Sequence, residues 1–468
     1  MTDVGAPVTH WLGRFERALA GGNATQLKRL FHADSHWRDV LALGWHIDTL
    51  SGVDAIVDAL IGWARRAQPS RFAIDPDRAP PRAVMRAGAD AIEAIFKFET
   101  EQGHCSGVLR LTPVEDAEPR AWTLLTALEE LKGHEEQIGR KKPQGGKAYS
   151  RDFRGPNWLD QRKSAEAFFD RDPAVLVVGG GQAGPAAAAR LSQLGLDTLI
   201  VDREQRIGDN WRKRYHALVL HNQVHVNHLP YMPFPPTWPA YIPKDKLASW
   251  FEAYVESLEL NFWTSTEFLG GRYDEQAGHW IVRLRRDGAE REMRPRHVVM
   301  ATGVSGIPNI PAIPTLEAFA GTVVHSSQYQ DGDAWTGKHA LVIGTGNSGH
   351  DIAQDLQSSG ARVTLVQRSS TLIVNVEPSA QLPYALYDEG PSLEDCDLIT
   401  TATPLALGRR SHQLLTAKAK EMDRPLLDGL ERIGFRLDDG DEGTGWQYKY
   451  HWIVRLRRDG AEREMRPR

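Results

Sequence analysis

Two hydrophobic rhythms divide the chain near residue 173. Upstream, Trp11, Phe15, Ala18 and Leu19 recur at helical spacing, as do Val53, Ile56, Val57, Leu60 and Ile61. Ser51 followed by Asp54 has the form of a capping box ahead of the second stripe. A period of two then takes over. Ile92, Ala94, Phe96 and Phe98 alternate with Glu93, Lys97 and Glu99, and further strands are predicted over 107–112 and 122–128. Helices followed by long antiparallel strands predict a compact α+β unit over 1–135, a curved sheet wrapped on helices. Residues 136–172 turn polar and are broken by Pro and Gly. They read as a linker carrying a helix near 160–169. From 173 onward, short apolar strands alternate with Gly-rich turns and helices, the pattern of parallel βαβ units.

One repeat interrupts this order. Residues 451–468 copy 279–296 letter for letter. A single recurrence is a duplication of sequence and not a solenoid, whose repeats diverge at a fixed period. In the first copy, Trp280, Val282 and Leu284 alternate with Ile281, Arg283 and Arg285, and Asp287-Gly288 supplies a hairpin turn. The second copy lacks the apolar strand 297–300 that follows the first, so a poorly anchored hairpin is expected there.

Composition adds exclusions. The 468 residues include Lys+Arg 56 against Asp+Glu 61, a net charge of −5 that argues against nucleic acid as a partner. No apolar run is long enough to span a membrane, and the N-terminus lacks the pattern of a signal peptide, so a cytoplasmic protein is expected. Two cysteines, Cys105 and Cys396, give neither a disulfide framework nor a CxxC pair. Glycine is in excess, 42 residues, and its placement carries the chemistry.

The strand 174–178 runs directly into Gly179-Gly180-Gly181-Gln182-Ala183-Gly184, then a helix over 185–194 and a strand 198–201 ending at Asp202. This is GxGxxG with its strand, helix and terminal acid. Gly179 permits the tight turn, Gly181 lets backbone approach a pyrophosphate, and Gly184 packs helix on strand. The phosphates would sit at the helix N-terminus and Asp202 would accept from a ribose hydroxyl. A second copy follows: strand 340–343, Gly344-Thr345-Gly346-Asn347-Ser348-Gly349, a helix to Leu356 and strand 363–366. From first glycine to strand end the offset is 23 in both, Gly179 to Asp202 and Gly344 to Gln367. At the second site Gln367, Arg368 and Ser369 replace the acid. A carboxylate repels a 2′-phosphate and an arginine pairs with one, so the first site suits a free ribose and the second NADP. Two such sites point to electron flow from a nicotinamide to a flavin. The cysteines, 291 positions apart, exclude a disulfide-reductase active site.

Between the turns, residues 319–330 resemble the FxGxxxHxxxY signature of class B flavin-containing monooxygenases through Phe319, Gly321, His325 and Tyr329, with Gln330 where the family usually carries Lys or Pro. Ala301-Thr302-Gly303 resembles the family's ATG segment, Gly208–Arg212 its GxxW segment, and 218–235 its YUCCA-like branch. The matches span 173–450. The resemblance implies two Rossmann-like domains that bind FAD and NADPH. FAD contacts fall to Gly179, Gly181, Gln182, Ala183, Gly184, Asp202, Arg203, Asn210, Trp211, Ala301, Thr302 and Gly303. NADP contacts fall to Gly344, Gly346, Asn347, Ser348, Gly349, Arg368 and Ser369. It further implies that NADPH reduces FAD, that O₂ adds at flavin C4a, and that one oxygen atom passes to an amine, a thioether or a carbonyl compound. Asn222 aligns with the family asparagine beside flavin and nicotinamide and is the candidate catalytic residue.

Other residues compete for attention. His221, His225 and His228 share one face if helical, but no HExxH glutamate accompanies them and no metal is expected. His325 is expected to be structural. The N-terminal unit resembles the SnoaL/NTF2-like cone, with His36 and Asp39 as candidate base and orienter, and offers a route to a homodimer. The alternative reading is that this cone is the working module, a small-molecule binder or cyclase-like enzyme beside an incomplete flavoprotein. The expected layout is a cone over 1–135, a linker over 136–172, a FAD domain over 173–335, an NADP domain over 336–450 and the copied tail 451–468. A second ATG segment and the returning strand of the flavin domain do not appear in the sequence, which predicts an incomplete, C-terminally truncated flavin sheet.

Overall fold

The computed structural model describes residues 4–115, 117–142, 153–303, 306–445, 454–458 and 461–465. It forms two compact units, one comprising 1–135 with 369–468 and the other 136–368. The boundary at 368 and 369 divides the expected 336–450 domain.

In the first unit, helix α1 (Gly5–Ala20) buries Trp11, Phe15, Ala18 and Leu19 along one face. Asn23 caps α2 (Ala24–Leu30) by accepting the Gln26 N–H. Strands β1 (Phe31–Val40) and β2 (Ile47–Ser51) precede α3 (Val53–Ala67), which buries Ile56, Val57 and Leu60. The expected Ser51 capping box is not formed. Ser51 lies in a strand opposite His36, and its Oγ is 2.7 Å from His36 Nδ1, while Gly52 at φ 86° turns the chain into the helix without a side-chain cap. Strands β3 (Ser70–Ile74), β4 (Arg82–Arg86), β5 (Ala89–Glu99), β6 (Gly103–Val114) and β7 (Ala117–Leu131) complete a sheet of order β2-β1-β7-β6-β5-β3, with β4 also on β5. Alternation along β5 aims Ala94, Phe96 and Phe98 at the helices, where they join Trp11, Phe15 and Leu60 in one core.

In the second unit, α4 (Trp158–Ala167) begins at a capping box made by Asn157 and Asp160. It lies inside the segment read as a linker. The segment is tied into the unit because Phe168, just past the helix, is fully buried edge-on to Trp263 at 6.1 Å. Strand β8 (Val175–Val178), helix α5 (Ala183–Gln193), strand β9 (Thr198–Val201) and the short helix α6 (Asp209–Arg212) follow. Then come β10 (Val219–Gln223), β11 (Tyr241–Pro243), α7 (Lys244–Ser257) and β12 (Asn261–Trp263). A meander of β13 (Thr266–Asp274), β14 (His279–Arg286) and β15 (Ala289–Met293) leads into β16 (His297–Met300). The parallel sheet has the order β12-β9-β8-β16. The two central strands, β8 and β9, are buried at every position because both faces are covered there. Val175 and Val177 meet α5 and α7, whereas Leu176 and Val178 meet Val282, Leu284 and Met293 of the meander. Strand β17 (His339–Ile343), helix α8 (Asn347–Ser358) and strand β18 (Arg362–Val366) form a second βαβ with a two-stranded parallel sheet.

The chain then returns to the first unit through a 3₁₀ stretch (Ser379–Asp388), α9 (Leu393–Thr401), α10 (Leu405–Met422) and α11 (Arg424–Arg432). In the copied tail, β19 (Val454–Arg458) pairs with β20 (Ala461–Met465) in the register of the first copy, Val454 opposite Met465 as Val282 is opposite Met293. Among the described residues no helix is long and apolar enough to cross a membrane.

Helix α9 covers the sheet face opposite α1–α3, where Leu398, Ile399 and Ala402 pack on Ile95, Val108, Leu125 and Ala127. Charges are sealed beneath it. Glu93 faces Arg82 on one neighbouring strand and Arg110 on the other. Its carboxylate accepts from Arg82 at 2.8 Å, Arg86 at 2.8 Å and Arg110 at 2.9 Å. Arg110, 2% exposed, also donates to the Ile399 carbonyl at 3.0 Å. Asp395 on α9 accepts from Arg78 and from the Ala79 N–H. Burial pushes the Glu93 pKa up, but the hydrogen bond from Arg86 and the charges of Arg110 and Arg86 outweigh it and hold the carboxyl at about 2. Glu93→Gln leaves a buried guanidinium uncompensated and is expected to cost about 3–5 kcal/mol in urea unfolding. In the parent protein, the Glu93 contribution is present above its ordinary value of 4.5 and is lost as pH falls toward about 2. Unfolding of parent and variant across that range checks both statements.

Candidate functional site

The first glycine turn has the shape its sequence requires. Gly179 adopts φ 112°, and a Cβ there would lie 2.4 Å from the Ala301 carbonyl oxygen. A Cβ on Gly184, inside the first turn of α5, would lie 1.9 Å from the Gly179 oxygen. Strand end and helix start therefore touch backbone to backbone, which only glycine permits. Gly181 has no such neighbour except the Asn210 amide, 3.4 Å from where its Cβ would be. Gln182 and Ala183 are exposed at the helix start, where unpaired N–H groups favour an anion. At the end of β9, Asp202 accepts the Gly180 N–H at 2.5 Å and the Glu204 N–H at 2.8 Å. Each carboxylate oxygen keeps a further lone pair for a hydroxyl donor. Gly180 is a site residue that the fingerprint spacing passes over. A Cβ on it would strike Phe262 at 2.2 Å, and its N–H orients Asp202.

Neighbouring segments frame this turn. Ala301 donates its N–H to Val178 at 2.8 Å, and Gly303 takes φ 73° beyond the exposed Thr302. Arg203 donates to the Gly306 carbonyl at 2.7 Å. Gly208, at φ 84°, brings the start of α6 against the Ala248 backbone. Trp211 of α6 packs in the α5–α7 core with a buried Nε1 that has no hydrogen-bond partner among the described residues.

The second turn repeats the geometry. Gly344 has φ 114°, and a Cβ on Gly349 would lie 2.2 Å from the Gly344 oxygen. Gly346 caps α8, whose first residues Asn347 and Ser348 are exposed. The surroundings are more open than at the first turn. Leu341 and Ile343 of β17 are 61% and 54% exposed. At the end of β18 Gln367 is half-buried and Arg368 exposed, and Ser369 opens the stretch that returns to the first unit.

Helix α8 is tethered by two carboxylates one turn apart. Asp351 accepts from the Tyr215 hydroxyl at 2.5 Å and lies 3.6 Å from His221 Nε2 on β10. Asp355 accepts from the Tyr329 hydroxyl at 2.7 Å. Tyr215, Tyr329, Ile352 and Leu356 form one small core with Ala361. The i, i+4 spacing of the two acids on a helix was a legible signal that sequence reasoning passed over. Tyr329 of the signature is thus an anchor for α8. Its His325 is half-buried, with Nδ1 2.8 Å from Ser327 Oγ. Asn222 sits half-buried on β10 beside His221, and its carbonyl accepts from Asn227.

The three histidines do not share a helical face, because 219–223 is a strand and 224–226 a 3₁₀ turn. Among the described residues no three His, Cys, Asp or Glu side chains gather as metal ligands. In the first unit the His36–Asp39 dyad is also corrected. An odd spacing on a strand sends the two side chains to opposite faces. His36 meets Ser51, while buried Asp39 accepts from Thr126 at 2.6 Å and from the Leu43 and Gly44 N–H groups.

Residues 172–387 match the family model described as FMO-like, flavin-binding monooxygenase-like. Indole-3-pyruvate monooxygenase YUCCA1 of Oryza sativa subsp. japonica is 36% identical over 219 residues, covering 46% of this chain and 53% of that protein. Probable indole-3-pyruvate monooxygenase YUCCA10 of Arabidopsis thaliana is 30% identical over 240 residues, 51% of this chain and 62% of that protein. The chain thus spans about half the length of the curated relatives it matches. Among solved structures, a flavin monooxygenase from Stenotrophomonas maltophilia is 25% identical, with TM-score 0.40, over 47% of this chain and 63% of that one.

Two measurements test the site geometry. Gly184→Ala forces the α5 start away from Gly179 and is expected to cost about 1–3 kcal/mol, seen as a lowered Tm. The hydrogen bond to Asp351 raises the His221 pKa above 6.5 against the opposing effect of burial. Asp351→Asn should return it toward that value in an NMR titration. The stability from the pair is complete below 6.5 and is lost as pH rises through the folded-state value.

Proposed function

We propose that this chain carries the cofactor-binding part of an FAD- and NADPH-dependent monooxygenase that transfers one atom of O₂ to a small organic substrate, by N- or S-oxygenation or by oxidation of a carbonyl compound. The observation that carries the reading is the repeated turn. Two strand–glycine–helix junctions share a φ near 112° and the same glycine-on-glycine contact, yet end in opposite chemistry, Asp202 at one and Arg368 at the other. The first fits a dinucleotide with a free ribose and the second one with a 2′-phosphate.

In this reading Gly179, Gly181, Gln182, Ala183 and Gly184 hold the FAD pyrophosphate, and Asp202 accepts from its ribose. Arg203, Asn210, Trp211, Ala301, Thr302 and Gly303 surround the same group. Gly344, Gly346, Asn347, Ser348 and Gly349 hold the NADPH pyrophosphate, with Arg368 and Ser369 at the 2′-phosphate. The flavin supplies two-electron reduction and oxygen activation. The protein supplies binding, exclusion of water and fixed dipoles, and Asn222 is the amide we assign to hydrogen bonding near the reacting atoms. Tyr215, His221 and Tyr329 position α8, so they set where the second turn lies relative to β10. The N-terminal sheet with its three helices fits the SnoaL/NTF2-like cone. A homodimer through the sheet face opposite those helices would require α9 to leave, because α9 already covers it.

The test is spectroscopic. The purified chain supplied with FAD should absorb as a flavoprotein and oxidise NADPH in air. Arg368→Ala should raise the KM for NADPH about tenfold and leave that for NADH unchanged, since the 2′-phosphate is the group that distinguishes the two nicotinamides. A protein that takes up no flavin, or an Arg368→Ala effect equal for both nicotinamides, would overturn the assignment.

A further inference from the structure

The N-terminal unit holds a cavity that the monooxygenase reading does not use. Strands β1 and β2 are joined by six residues, 41–46, where a two-residue turn is the usual hairpin connection. The loop carries apolar side chains outward, with Leu41 37% and Trp45 50% exposed. Both of these adopt left-handed backbone, φ 62° and 56°, a conformation unfavourable to large side chains. Such strain persists only where the surroundings enforce it.

Here the enforcement is explicit. Asp39, 1% exposed, receives the Leu43 and Gly44 N–H groups. It is held in turn by Thr126, which also accepts from Trp37 Nε1 at 2.9 Å. The loop ends are closed by the Leu41 N–H on the His46 carbonyl at 3.1 Å. Gly44 lies so close over Trp63 that a Cβ would be 2.8 Å from the ring, and Trp63 is backed by Trp37 at 5.1 Å. A buried carboxylate network thus fixes an exposed loop in one shape.

That shape leaves a cavity of about 440 Å³ between the loop, the end of α3 and the β5–β6 turn. Trp45 and Trp63 line it, His46 and Arg66 are its titratable or charged lining groups, and among the described residues no Asp or Glu lines it. The Arg66 side chain is exposed and makes no hydrogen bond or ion pair with any described residue. An indole held in place at Trp63, with a second at Trp45 on the pinned loop, suits a flat aromatic body, and an unengaged guanidinium suits a carboxylate. The volume is in the range of small-ligand sites.

We propose that this cavity binds a planar aromatic carboxylate, its ring against Trp45 and Trp63 and its carboxylate on Arg66. The proposal is independent of flavin chemistry. A colourless protein that still bound such a ligand would sink the monooxygenase reading and leave this one intact. The test uses the full chain and three probes of equal size, 2-naphthoate, 2-naphthylmethanol and 2-naphthylmethylamine, in equilibrium dialysis. The carboxylate should bind saturably and about tenfold more tightly than the alcohol, and the amine least. Trp45→Ala should weaken 2-naphthoate about tenfold or more, whereas Arg66→Gln should bring it level with the alcohol and leave the alcohol unchanged. Both positions are solvent-exposed, and circular dichroism confirms that the variants fold. Equal binding of the three probes, no saturable binding, or binding unaffected by both substitutions would overturn the proposal.

Discussion

The candidate site depends on one contact, the backbone of Gly184 against the carbonyl of Gly179. A single methyl group at residue 184 would overlap that oxygen at 1.9 Å, so helix α5 starts where it does only because the residue is glycine. The contact aims the free N–H groups of the helix start at the space above the strand end. It also brings the Gly180 N–H onto Asp202, fixing the acid at the next strand. The same contact recurs between Gly349 and Gly344. Two strand–turn–helix junctions within one unit therefore rest on the absence of two side chains.

How the two turns work together is a separate matter, decided by polar contacts on α8. Asp351 and Asp355 receive Tyr215, His221 and Tyr329 from three different stretches of chain. These carboxylates are partly shielded from water, where charge-assisted hydrogen bonds are stronger and more directional than at an open surface. They join the helix of the second turn to the strand that carries Asn222. The tyrosine of the FxGxxxHxxxY segment thus anchors α8 through Asp355.

The first unit is organised by buried charge. Glu93 alternates with residues of the core and would pass for a solvent-facing residue. It is instead sealed under α9 with three arginines, and its burial is tolerable because Arg82, Arg86 and Arg110 all reach it. Asp39 follows the same logic on a smaller scale, since its buried carboxylate is satisfied by a hydroxyl and by loop N–H groups. Each buried acid closes off one surface, the outer sheet face in one case and the 41–46 loop in the other.

The chain's local patterns were sufficient for its local structure. The alternation of Ala94, Phe96 and Phe98, the stripes of Trp11 and Ile56, and the two glycine fingerprints were readable because a strand has period two, a helix 3.6, and a tight turn admits only glycine. Other features involve partners far apart in sequence, and no periodicity encodes them. Phe168 makes its segment part of a core because Trp263 is there to receive it. Ser51 leaves the helix cap because His36 faces it across a strand pair. Residues 369–445 join the N-terminal unit because Arg110 and Arg78 await Ile399 and Asp395. The sequence by itself determined the elements and the backbone geometry of the two glycine turns, since those follow from local backbone sterics. Only the tertiary structure decided which buried charges are paired and which loops are pinned, because desolvation is set by whatever comes to lie above a residue.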